Sequence, residues 1–123
     1  MQLDRNLTRI EEYLDYTEGF LYPTSPAMNV HSVGAALVLS PKLNNLGTWY
    51  VYTTGTGDVV FELDTETINI HVIVTPLNYE VELEVKATGK HGLDIFVEGE
   101  EEYITLSSQS SVLRYLSRKL SLN

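Results

Sequence analysis

The chain contains no cysteine. Disulfide staples, thiolate nucleophiles and cysteine-ligated zinc are therefore excluded, and a cytoplasmic setting is expected. Positive charge is scarce: eight Lys and Arg stand against 17 Asp and Glu, a net charge of −9 over 123 residues. A balance this acidic disfavours direct contact with nucleic acid or an anionic membrane surface. Long apolar runs are missing as well. The longest, Val33–Leu39, is seven residues, whereas a membrane-spanning helix needs about 20. The first ten residues carry no apolar core of the signal-peptide kind. Motifs of catalysis are equally absent. No Gly-x-Ser-x-Gly elbow occurs, and Gly55-Thr56-Gly57 lacks the Lys-Ser/Thr of a phosphate loop. The acidic spacings do not match an Asp-x-Asp-x-Asp-Gly calcium loop. No catalytic residue, metal site or cofactor is expected from these residues.

What is present is unevenly placed. Between Asp58 and Glu102 there are twelve acidic residues and two basic ones, Lys86 and Lys90. Residues 107–123 reverse the sign, with Arg114, Arg118, Lys119 and no acid. Tyrosine is abundant, eight residues beside a single tryptophan. The length predicts one domain, long enough for a core of its own.

Leu3, Leu7, Ile10 and Leu14 recur at helical spacing and predict a helix over 4–17, with Asp4 as N-cap and Gly19 beyond its end. An apolar loop with Pro23 and Pro26 follows. Strands are then expected at Val30–Ser40, Thr48–Thr54, Val59–Asp64, Thr67–Thr75, Tyr79–Ala87, Leu93–Val97 and Tyr103–Leu106, separated by Gly-, Asn- and Thr-bearing turns. Connections this short make neighbours antiparallel. Val112, Leu113, Leu116 and Leu120 predict a second helix over 109–121. The expected fold is α+β: a six- or seven-stranded antiparallel meander with an N-terminal helix packed on it and a C-terminal helix.

Strand Tyr79-Glu80-Val81-Glu82-Leu83-Glu84-Val85 alternates without a break, so its two faces differ in kind. A two-residue loop at Leu77-Asn78 sets Val74 opposite Val81, Val72 opposite Leu83 and Ile70 opposite Val85. One at Thr65-Glu66 sets Leu63 opposite Ile68 and Phe61 opposite Ile70. Both choices gather the same apolar residues on one face, which a one-residue slip would destroy. On the other face they place His71 beside Glu84, within hydrogen-bonding reach.

Three groupings follow. Glu62, Asp64, Glu80, Glu82 and Glu84, with Glu100, Glu101 and Glu102 from the Glu98–Glu102 turn, form an acidic face suited to a basic protein surface. Mimicry of DNA by one strand is excluded by density: three charges span about 13 Å of strand, where a duplex carries roughly eight. His71 with Glu84 is a histidine oriented by a carboxylate. Tyr13, Tyr16, His31, Trp49, Tyr50 and Tyr52 could line a pocket between helix 4–17 and a curled sheet, or an interface. The strand around Trp49 is apolar on both faces, which suits a homodimer.

The expectation is therefore a non-catalytic protein–protein interaction module of inhibitor, chaperone or adaptor type. Accessory proteins of viruses and mobile elements are often of this kind. The competing expectation is a small-ligand binder or acid/base enzyme using the aromatic pocket.

Overall fold

The computed structural model describes residues 5–13, 28–86 and 101–121. Its elements run α1 (Arg5–Tyr13), α2 (Val30–Leu43), β1 (Tyr50–Thr53), β2 (Val59–Asp64), β3 (Ile68–Val74), β4 (Tyr79–Val85), β5 (Glu101–Leu106) and α3 (Gln109–Ser121). The class is α+β, as expected. The five strands form one antiparallel meander in the order β1-β2-β3-β4-β5.

Two expected strands are not among these five. Val30–Ser40 is the helix α2, which runs on through Pro41 to Leu43. A short apolar segment fits a buried helix as well as a buried strand, because periodicity is hidden where both sides are apolar. What decides for helix is local. Asn29 caps the first turn, its Oδ1 accepting from the backbone N–H of His31 (2.9 Å) and Ser32 (3.4 Å). The buried positions Ser32, Val33, Ala36, Leu39, Ser40 and Leu43 then form one helical stripe. Leu93–Val97 lies outside the described residues, as do Asp4, Gly19 and the apolar loop after α1.

The core sits on one face of the sheet. Val51, Phe61, Leu63, Ile70, Val72, Val81 and Leu83 join Ile10, Tyr13, Val33, Leu39, Leu43, Val112, Tyr115 and Leu116 in one buried cluster. Helix α1 lies on β1, α2 on β2 and β3, and α3 on β4 and β5. Three helices thus cover one side, and no described helix packs on the other.

The hairpin loops differ from expectation by one residue. They are Glu66-Thr67 and Pro76-Leu77, closed by the pairs Thr65/Ile68 and Thr75/Asn78. In each, the threonine hydroxyl before the loop accepts from backbone N–H groups across it: Thr67 and Ile68 onto Thr65 Oγ1, Leu77 and Asn78 onto Thr75 Oγ1. Thr54 Oγ1 repeats the device in the β1–β2 turn, accepting from Thr56 and Asp58. That turn also needs Gly57, whose φ of 87° falls in the left-handed region. Moving each loop by one residue shifts the register by two. Side-chain parity survives, so every apolar residue keeps its face while its cross-strand partner changes.

Candidate functional site

The face without described helices carries six of the eleven described acidic side chains, Glu62, Asp64, Glu80, Glu82, Glu84 and Glu101. Its residues fall into transverse rows set by the ladder. The central row is Tyr50, Glu62, His71, Glu82 and Tyr103, one from each strand; beside it run Tyr52, Val60, Ile73, Glu80 and Thr105, and on the other side Asp64, Asn69, Glu84 and Glu101. A histidine at the centre of the face is thus flanked by carboxylates on both neighbouring strands, with tyrosines at both ends.

The pairing of His71 with Glu84 is corrected by this register. His71 lies opposite Glu62 and Glu82, and its Nε2 is 3.1 Å from Glu62 Oε2. Glu84 lies opposite Asn69 and Glu101. Asn69 Nδ2 donates to Glu62 Oε2 (3.0 Å) and Asp64 Oδ1 (3.1 Å). Asp64 also accepts from the Lys86 ammonium, and these contacts, Lys86 first, hold its carboxyl below the usual aspartate range. At the β5 end Tyr103 Oη donates to Glu80 Oε1 at 2.6 Å, and this bond keeps the phenol protonated to higher pH than usual. At the β1 end the Tyr52 ring stands edge-on to His71, centroids 6.4 Å apart. Burial, then the charges of Glu62 and Glu82, push the Tyr52 phenol up.

Glu82, Glu84 and Glu101 differ from their neighbours. No described side chain donates to any of them. Glu84 and Glu101 are directly opposed across β4 and β5, an arrangement of like charges that costs stability. Beside them opens a cavity of about 540 Å³, lined by Asn69, His71, Glu82, Leu83, Glu84, Glu101, Glu102 and Tyr103.

The remaining expected residues scatter. Glu102 pairs with Leu83, so it belongs to the helix-covered side. There it accepts from Tyr115 Oη (2.6 Å) and Lys119 Nζ (2.8 Å), and these two donors, Lys119 first, depress its pKa. The alternation of β5 gives this parity once the register is known. Glu100 and Tyr16 lie outside the described residues. The aromatic pocket between helix and sheet is not assembled among the described residues. Tyr13 and Trp49 are 3% and 4% exposed in the core, and Trp49 Nε1 donates to Leu43 O at 2.8 Å. Tyr50 and Tyr52 sit on the opposite face, and His31 is exposed in the first turn of α2. The sheet separates residues that proximity in sequence had grouped.

Chemically the face offers carboxylates, hydrogen-bonding phenols and one imidazole. Among the described residues no three His, Asp or Glu side chains come close enough to hold a metal ion. No described helix is long and apolar enough to cross a membrane. Carboxylates that lack a described donor, and flat aromatic surface, are groups to which cations bind. No family model, no curated protein and no solved structure matches this chain.

Proposed function

We propose that this protein is a non-catalytic binding module whose open, acidic sheet face receives a basic protein partner. The observation that carries the reading is the trio Glu82, Glu84 and Glu101. Unlike Glu62, Asp64, Glu80 and Glu102, they have no described donor. Two of them oppose each other at the edge of a cavity. Such an array is costly alone and gains charge-assisted bonds when Arg or Lys side chains enter it. Exposed Tyr50 and Tyr103, at 57% and 58%, supply the amphipathic surface typical of interfaces.

Titration with a short arginine-rich peptide tests this. Binding is expected at 0.1 M salt and lost at 1 M, as screening shrinks from about 10 Å to about 3 Å. The double variant Glu82→Lys/Glu84→Lys should abolish it, while Glu11→Lys/Glu12→Lys, with the same change in net charge, should not. Equal loss in both variants would reduce the effect to net charge and sink the site.

A second reading draws on the cavity itself, whose volume lies in the range of small-molecule sites. A free diamine that binds as tightly as the peptide, and competes with it, would favour that reading.

A further inference from the structure

The two edges of the sheet are finished differently. Backbone hydrogen bonds close the pairs Thr54/Asp58, Thr65/Ile68 and Thr75/Asn78, and antiparallel alternation carries this pattern outward from each turn. In β1 the groups of Tyr50 and Tyr52 face β2, and those of Trp49 and Val51 face the free side. These outward carbonyls are occupied by α1: Asn6 Nδ2 donates to Trp49 O (2.8 Å), Arg9 Nη1 to Val51 O (3.2 Å) and Tyr13 Oη to Val51 O (3.5 Å). The helix seals that edge.

At the other edge the same alternation turns the backbone of Glu102, Ile104 and Leu106 toward β4, leaving Glu101, Tyr103 and Thr105 facing outward. No described group bonds to those outward N–H and C=O groups, and the side chains of all three residues are exposed. An unpaired edge is a template for a further strand.

We infer that β5 binds its partner by strand addition: an extended peptide pairs antiparallel with Glu101, Tyr103 and Thr105, bringing basic side chains onto the acidic face. This deepens the binding reading above and rests on it. The geometry specifies a code. Residues hydrogen-bonded opposite Glu101, Tyr103 and Thr105 put their side chains on the same face as those three, beside Glu84, Glu82 and Glu80. Arg or Lys belongs there. The intervening residues face the side of Ile104 and Leu106, half-buried against the core, and should be apolar. Charge selects a basic strand over a second copy, whose own acidic face would lie alongside this one. The recognition sequence is therefore basic and apolar in strict alternation.

The heptapeptide Arg-Val-Arg-Val-Arg-Val-Arg is the probe, titrated calorimetrically against the full chain. N-methylating the arginine residues removes the N–H groups that point at β5, and should weaken binding by at least about tenfold. N-methylating the valines, whose N–H groups point away, should leave it within about twofold. Thr105→Pro should weaken the unmodified peptide to a similar extent. It deletes one outward donor and no ladder bond, as edge prolines do, and circular dichroism of the variant checks the fold. If both methylated peptides bind like the parent and salt weakens all three alike, strand addition is wrong while the acidic-face reading stands. No binding of any of them at low salt refutes that reading instead. A dimer of the chain alone, dispersed by Thr105→Pro, gives the edge to a second copy and overturns the inference.

Discussion

At the scale of single residues, two carboxylates adjacent in sequence have opposite roles. Glu101 stands on the open face without a described donor, and Glu102 is gripped from behind by Tyr115 and Lys119. Period-two alternation alone separates them. Because Glu102 has a depressed pKa in the fold, its contribution to stability is complete above the ordinary glutamate value of 4.5 and is lost as the pH falls through the depressed one. Tyr115 runs the other way. Burial and then Glu102 raise its pKa, so its contribution is complete below pH 10.0 and lost as the pH rises. Glu102→Gln should therefore be less stable than the parent at neutral pH and should lose less stability on acidification from about pH 5 to pH 3. Urea unfolding across that range measures both slopes, and parallel slopes would contradict the assignment.

At the scale of elements, legibility tracked the clarity of the pattern. Strand β2 and helix α3 have the bounds that their residues predict, since Val59–Asp64 is framed by turns and Val112–Leu120 keeps a clean helical stripe. The faces of β3 and β4 were also legible, because a two-residue register shift preserves parity. Pairing was not. The partner of His71 depends on which threonine closes each hairpin: the hydroxyl of Thr65 sets its loop one residue later, and that of Thr75 one residue earlier, than turn composition suggests. Helix α2 does not show as a helix in the sequence, because Gly34, Ala35, Ala36, Leu37, Val38 and Leu39 have no polar side to reveal a period. In the structure Asn29 caps its first turn with its side chain. Asn29→Ala should cost about 1 kcal/mol of stability, and chemical denaturation would show it. A shift under 0.3 kcal/mol would mean that the packing of Val33, Ala36 and Leu39 holds the helix without its cap.

For the molecule as a whole, structure and interaction are divided between two surfaces. One face of the sheet binds three helices and holds the core; the other holds Glu82, Glu84 and Glu101, which have no described donor. Binding and stability should then trade off. Glu84→Lys replaces the opposition of Glu84 and Glu101 with an attractive pair, and should raise stability by about 0.2–1 kcal/mol. The same change should weaken binding of a basic peptide. Thermal unfolding and titration of one preparation test both. A variant that is destabilised, or that binds unchanged, would show that the trio's charge is not held in tension.

The sealed edge at β1 has a consequence for assembly. Sheets with two open edges can extend without limit, copy upon copy, into a fibre. Here Asn6, Arg9 and Tyr13 occupy one end, so among the described strands each copy offers a single growing end. A sister chain joined through β5 uses up that end on both copies, since each is left with its sealed β1 edge. Between copies, growth by pairing of the described strands stops at a dimer.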